Sequence, residues 1–230
     1  MADLRAIPDD ELRRTALPVS AARQERSRAT LRRIAVATAR LLEESRFEDL
    51  SVARIVSRAR SSVGSFYARF RDKDALLDYL DEIYARELEA LLDGFVERAG
   101  RLRPPLASLS DRLWSDLVAF HVLRKGLVRT LVLRARVSRE AAFEKRTRRL
   151  NARFARVVDV FLERRAEMAV ADPTRAVPLG LAFAYSAMRE HILFTESVRL
   201  PAAPSRRELV SALTRSLLGA LGASSTVGRT

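Results

Sequence analysis

One stretch of the chain, Ser51 to Leu76, constrains the fold more than any other. Its sequence, SVARIVSRARSSVGSFYARFRDKDAL, contains two short helical patterns separated by a polar break at Arg60-Ser61-Ser62. Ser51 and Ser62 each precede an apolar helical pattern, so each is predicted to be an N-cap. Helices of about two turns are not stable in isolation. This stretch must therefore pack against another part of the chain.

A third helix, predicted from Thr30 to Leu42, supplies that cover. Its apolar side is formed by Leu31, Ile34, Ala35, Thr38, Leu41 and Leu42. Three helices with a tight turn between the last two form a helix-turn-helix module, whose second short helix enters the major groove of DNA. Small residues at the start of that helix would let its backbone approach the base edges and phosphates closely.

The same stretch resembles a known family. The residues Ala59, Ser62, Gly64, Phe66-Tyr67, Phe70, Lys73 and Leu76 match the pattern of TetR/AcrR transcriptional regulators at every interval. The resemblance covers about Arg28 to Leu80. It implies an all-α chain, with an N-terminal three-helix helix-turn-helix DNA-binding domain and a C-terminal helical ligand-binding and dimerisation domain.

Two residues of the turn depart from the family pattern. Arg60 and Ser61 stand where the family usually has Gly and then Val. A left-handed arginine would cost about 1 kcal/mol relative to glycine. The turn must therefore be built differently or tolerate that strain.

The residues that we predict to contact DNA lie in and around the second short helix. They are Arg28, Ser51, Arg60, Ser61, Ser62, Val63, Gly64, Ser65, Tyr67 and Lys73. Tyr67 and Lys73 are expected to reach phosphate oxygens, a role that the resemblance implies for Tyr67. Arg28 lies where an N-terminal arm joins the first helix, and such arms either enter a minor groove or stay solvated. Phe66 and Phe70 are predicted to be core aromatics.

Four segments are predicted along the chain: a flexible arm (1–22), the DNA-binding domain (23–71), a helical effector-binding and dimerisation domain (72–222) and a flexible tail (223–230). Later helices are predicted to begin at Asp72, Pro104-Pro105, Ser138, Asp172-Pro173 and the capping box Ser205 to Glu208. The long helix after Asp72 is expected to end near Gly100. Leu127–Leu133 fits a strand or a short helix by periodicity, and its helical surroundings favour a helix.

The last two helices have more apolar surface than one core stripe can bury. This surplus predicts a homodimer to which each subunit contributes that pair, and the resemblance implies the same interface. The candidate lining of a small-molecule pocket is Trp114, Leu117, His121, Phe154, Phe183 and Met188, with Arg124 or Arg129 available for an anionic group. For each of these residues taken singly, plain core packing is the favoured alternative. An apolar or amphipathic effector would suit such a lining.

Composition and motifs limit the classes of function that this chain can have. The net charge of +13 favours a polyanionic partner, although only three of the 42 basic residues are lysines. Two histidines, the absence of cysteine and the lack of phosphate-loop, HExxH or GxSxG motifs argue against an enzyme, and no metal or cofactor is predicted. No apolar run could span a bilayer, and acidic residues interrupt any signal peptide, so a cytoplasmic protein with no membrane partner is expected.

The sequence thus predicts a ligand-responsive, sequence-specific DNA-binding transcriptional regulator. We expect a repressor that a small molecule releases from a palindromic operator. Two alternatives remain: a charge-driven, non-specific nucleic-acid binder and, less favoured, an all-helical enzyme.

Overall fold

The computed structural model describes residues 21–137, 141–194 and 204–223. The helices of these segments are α1 (Ala21–Glu44), α2 (Val52–Arg58), α3 (Val63–Tyr67), α4 (Lys73–Leu102), α5 (Leu106–Val122), α6 (Lys125–Val137), α7 (Ala141–Leu162), α8 (Pro173–Leu193) and α9 (Arg206–Ala220). A 3₁₀ turn, Arg165–Glu167, follows α7. The described residues contain no strand, and the predicted all-α fold is confirmed. Leu127–Leu133 lies within α6. The predicted cap Ser138, nearly all of the predicted arm and all but the first residue of the predicted tail lie outside the described residues.

Short polar side chains begin most of these helices as predicted. Ser51 Oγ accepts a hydrogen bond from Arg54 N (3.2 Å), and Ser62 Oγ accepts one from Ser65 N (3.1 Å). Asp72 caps α4 in the same way, Asp172 caps α8, and Ser205 and Glu208 form the capping box of α9. These bonds satisfy amide groups that have no partner inside the helix.

The start of α5 has no side-chain cap of its own, because Pro105 occupies the cap position. Glu167, at the end of the 3₁₀ turn, instead accepts a hydrogen bond from Leu106 N (2.8 Å). Nearby, the buried Arg164 donates to the carbonyl oxygens of Ala99 (3.0 Å) and Pro104 (3.3 Å). The end of α4 is thus held by a residue that follows α7. The helix ends at Leu102, two residues beyond the predicted Gly100.

The chain forms two compact units. The first comprises the chain up to Tyr84 together with Arg124–Val137, and the second comprises Ala85–Leu123 together with the chain from Ser138 onward. In the first unit, α6 packs against α1 and contributes Leu127 and Leu131 to the core. That core also contains Ile34, Leu41, Ile55, Phe66 and Leu76.

In the second unit, α5 packs against α9 and α8, and α7 packs against α8. Its largest buried side chains include Trp114, Phe95 and Phe161. A hydrogen-bonded histidine lies in the same core: His121 is completely buried, and its Nδ1 lies 2.8 Å from Leu117 O. A carbonyl oxygen can only accept, so Nδ1 carries the proton.

Candidate functional site

The turn between α2 and α3 is built around a left-handed arginine. Arg60 has a φ of 49°. Its amide donates to Ser57 O (3.1 Å), and the amide of Ser61 donates to Val56 O (2.9 Å). These two bonds form a Schellman motif, in which the left-handed position usually belongs to glycine. The turn therefore keeps the geometry expected with glycine, and Arg60 tolerates a strain of about 1 kcal/mol.

Helix α3 presents one face to the core and the other to solvent. Phe66 is fully buried and Phe70 is 6% exposed, so their predicted core roles are confirmed. On the opposite face, Val63 is 47% and Tyr67 is 55% exposed. Ser62 and Gly64 are also exposed, whereas Ser65 is half-buried and its hydroxyl accepts from that of Ser62 at 3.0 Å.

The absence of a side chain at Gly64 is not required by the protein's own packing. A Cβ atom at this position would meet no atom within 4 Å. The open space in front of α3 is therefore available to an external partner, as a backbone that approaches DNA closely would require.

Arg69 ties α3 to the start of α1. Its guanidinium donates to Ser65 O (2.6 Å) and, across 42 residues of sequence, to Ser27 Oγ (3.1 Å). Burial, together with the nearby positive charge of Arg33, lowers the pKa of Arg69. Sequence analysis did not identify this residue, because its role depends on the packing of α3 against α1. The neighbouring Arg28 is half-buried on α1.

Lys73 has a different environment from the one predicted. Its ammonium group lies 3.2–3.3 Å from the carbonyl oxygens of Phe47, Glu48 and Leu50, and 4.8 Å from the centre of the Phe47 ring. An ammonium group has three donors, and these carbonyls match all of them. We therefore revise the expectation that this side chain reaches a phosphate: it closes the loop between α1 and α2.

A cluster of arginines, which we call the basic notch, lies beside the turn. It surrounds a depression of about 220 Å³ and consists of Arg32, Arg33, Arg40, Arg58 and Arg60. Arg58 is paired with Glu44 at 2.8 Å, which is an ion pair within the protein. The three arginines of α1 were missed by sequence analysis, since only the tertiary packing shows that this side of α1 faces the turn.

The second unit contains a cavity of about 500 Å³. Its lining includes three predicted residues, Trp114, Leu117 and Phe154, and further residues from α5, α7 and α8: Leu113, Asn151, Ala155, Val157, Val158, Asp159, Pro178, Leu181, Ala182 and Tyr185. No sequence pattern separates these residues from ordinary core and surface positions.

The other predicted lining residues are not brought to this cavity. His121 and Met188 are completely buried elsewhere in the packing, and Phe183 is 67% exposed because α8 turns it to solvent. Arg124 and Arg129 belong to the first unit. His121 instead supports the wall: its Nε2 lies 3.2 Å from the Tyr185 hydroxyl.

The surface of α8 carries two large exposed apolar side chains one turn apart, Leu179 (50% exposed) and Phe183. On α9, Gly219 and Ala220 are exposed, and a Cβ on Gly219 would meet nothing within 4 Å.

In the described segments, no group of three acidic, histidine or cysteine side chains could hold a metal ion. None of the helices described is both long and apolar enough to cross a membrane.

Comparison with known proteins agrees with this geometry. Residues 29–80 match the model of a family described as bacterial regulatory proteins, tetR family. No curated protein sequence matches the chain. Among solved structures, a Mesorhizobium loti MAFF303099 protein described as a TetR-family transcriptional regulator is 20% identical, with a TM-score of 0.57 over 85% of this chain and 96% of that chain. Salmonella enterica GusR is 18% identical, with a TM-score of 0.44 over 84% and 95%.

The family match covers the three-helix module, and the Mesorhizobium loti structure shows the fold of the longer chain. The family match agrees with the resemblance read from residues Ala59 to Leu76. That resemblance is therefore confirmed: residues 29–80 match the model of the tetR family, and the described residues have an all-α fold similar to that of the Mesorhizobium loti structure.

Proposed function

We propose that this chain is a sequence-specific, DNA-binding transcriptional regulator, a repressor that a small molecule releases from its operator. The observation that carries the proposal is the solvent face of α3. Ser62, Val63, Gly64 and Tyr67 are exposed there, and Gly64 leaves space that the protein itself does not fill. A helix with this face in the major groove could place its backbone near the phosphates and its side chains near the base edges.

A homodimer would explain the exposed apolar surface of the last two helices. Leu179 and Phe183 on α8, and the small residues Gly219 and Ala220 on α9, suit close packing against a second copy. A two-fold dimer would read a palindrome whose half-sites lie about 34–36 Å apart or somewhat more.

The dimer has a direct test. Phe183→Glu should convert the protein to a monomer in sedimentation velocity, because it places a charge in the interface. Val137→Glu, at an 89% exposed apolar residue of α6, serves as the control and should leave the dimer intact. Equal dimer fractions for both variants would place the interface elsewhere.

The ligand response is supported by the cavity of the second unit, which is large enough for a drug-sized molecule. Effector and DNA would then weaken each other's binding reciprocally. Titration of one effector with and without operator DNA should give two different affinities. Equal affinities would remove the ligand response but leave the DNA-binding role intact.

The alternative of a non-specific nucleic-acid binder is favoured by one observation, the basic notch. Its arginines would bind phosphates without reading sequence, and such binding depends steeply on salt. The two functions separate in a selection of bound duplexes from a random library at near-physiological salt. A palindromic consensus supports the regulator, and a flat result supports the non-specific binder.

Tyr67→Phe should weaken binding to all sequences alike, since it removes only a phosphate-reaching hydroxyl.

A further inference from the structure

The cavity of the second unit has a largely apolar and aromatic wall. Its large side chains come from three helices and include Leu113, Trp114, Leu117, Phe154, Leu181 and Tyr185. The rings of Phe154 and Tyr185 lie 5.1 Å apart at a tilt of 58°. A wall of this kind buries an apolar body, and the few polar groups on it decide which ligands are accepted.

Trp114, one of the residues that line the cavity, has a buried indole N–H. This side chain is 1% exposed, and within the described part of the chain its Nε1 has no hydrogen-bond partner. An indole nitrogen can only donate, and leaving a buried donor unpaired is unfavourable. A ligand that places an oxygen acceptor beside Trp114 would satisfy this donor.

The second polar group is the Asp159 carboxylate. Among the described residues it is the single ionisable side chain of the lining apart from the phenol of Tyr185, and it is exposed. None of the ion pairs formed among the described residues involves Asp159. The polar amide of Asn151 also lines the cavity but carries no charge.

Two arginines of α7 are held away from the cavity by ion pairs. Arg149 is paired with Glu89 at 2.8 Å, and Arg156 is paired with Asp93 at 2.6 Å. These carboxylates lie on α4, so the guanidinium groups face that helix. Among the described residues, no lysine, arginine or histidine lines the cavity. An anionic ligand would therefore meet a carboxylate and no cation.

We propose that this cavity selects an apolar organic cation that carries a hydrogen-bond acceptor. Asp159 would attract the positive charge at the rim, the rings of Trp114 and Phe154 would contact it through their faces, and the Trp114 N–H would donate to the acceptor. Tyr185 is less suited to the cation, since the Arg189 guanidinium lies 5.6 Å from its ring. The inference rests on the proposed ligand response for its biological meaning, but not for its test.

The test compares three probes in calorimetry with the full chain and no DNA. The first is the 4-cyclohexylphenyl ether of choline, which has an apolar body, an ether oxygen and a quaternary ammonium group. The second replaces the ether oxygen by a methylene group. The third, 4-cyclohexylphenoxyacetate, keeps the ether but is anionic. Because Trp114 is the only tryptophan of the chain, its fluorescence on excitation at long wavelength reports whether a probe occupies this cavity.

Two variants assign the contacts. Asp159→Asn should weaken binding of the cationic ether by about threefold to tenfold at low ionic strength. Asp111→Asn is the matched control, because Asp111 is an exposed aspartate of the same unit that does not line the cavity. In the unmodified protein, the ether should bind about threefold to tenfold more tightly than its methylene analogue. In Trp114→Phe that difference should disappear, and circular dichroism would confirm that each variant is folded.

The expected result is that the cationic ether binds and perturbs Trp114, with the anion far weaker. Failure of the cation to bind, equal or tighter binding of the anion, or equal effects of Asp159→Asn and Asp111→Asn would each overturn the proposal. The regulatory role is measured separately, by the anisotropy of labelled operator DNA. Selective cation binding that leaves the DNA complex intact would uphold the cavity's selectivity and refute the ligand response. DNA binding without selective cation binding would refute the cavity's selectivity and leave the DNA-binding role intact.

Discussion

The contact between α1 and α6 in the first unit depends on the absence of a side chain at Gly126. A Cβ atom built there would lie 2.6 Å from Glu43 N and closer still to the carbonyl group of Leu42. All of these are backbone atoms, so no side chain can rotate away. The Glu43 carboxylate also accepts a hydrogen bond from Gly126 N (2.9 Å). Gly126→Ala must therefore push the two helices apart.

The magnitude follows from what that separation disturbs. Leu127 and Leu131 of α6 are 4% and 8% exposed in the core of this unit, and both would lose close contacts. Overpacking of a dense core typically costs about 1–3 kcal/mol. Because the obstacle is backbone, we expect the upper part of that range, about 2–3 kcal/mol. For a chain of this length that corresponds to a fall in Tm of roughly 4–12 °C.

The assay is thermal unfolding followed by circular dichroism at 222 nm. Gly100→Ala is the matched control, since a Cβ at Gly100 in helix α4 would meet nothing within 4 Å. Alanine is the better helix former by up to about 1 kcal/mol, so the control should keep or raise the Tm. The two substitutions should therefore have opposite signs. If Gly126→Ala is as stable as Gly100→Ala, the close approach of α1 and α6 is not as described.

Three further substitutions test other parts of the structure. Gly64→Ala should leave the free energy of unfolding in urea unchanged or raise it by up to about 1 kcal/mol. It should also weaken operator binding, measured by anisotropy, by about tenfold or more. An unchanged DNA affinity would refute the close approach of α3 to DNA. Arg60→Gly should stabilise the fold by up to about 1 kcal/mol in urea, whereas Arg60→Ala keeps the left-handed strain and should not; equal effects would argue against strain in the turn. Hydrogen bonds from Thr174 and Arg175 hold the pKa of Asp172 below its ordinary value of 3.8. Since the folded pKa is the lower one, the cap stabilises the protein above about pH 4 and loses this effect as the pH falls through the lowered pKa. The Tm difference between wild type and Asp172→Ala should thus be present at pH 7 and shrink in acid; a constant difference would contradict this.

Much of the local structure was predictable because local chemistry decides it. Ser51 and Ser62 cap helices wherever they precede an apolar helical pattern, as their hydroxyls need only reach an amide three residues ahead. The burial of Phe66 and Phe70 follows from helical spacing in the same way. The DNA-contacting residues and the dimer helices were inferred from resemblance and surplus apolar surface, and they remain predictions.

The positions that only the tertiary structure decided are those whose partners are distant in sequence. Sequence alone could state that a left-handed Arg60 would be strained, but the Schellman bonds show that the chain accepts that strain. From sequence alone, the lysine after α3 is predicted to reach DNA. In the structure, the loop of Phe47 to Leu50 instead supplies three carbonyl oxygens to the Lys73 ammonium group. Likewise, the sequence of α7 predicts a positively charged surface. In the structure, Glu89 and Asp93 of α4 pair with its arginines, whereas Asp159 lines the cavity. Helix caps are satisfied within one turn, whereas the charge and shape of a cavity depend on which helices pack together.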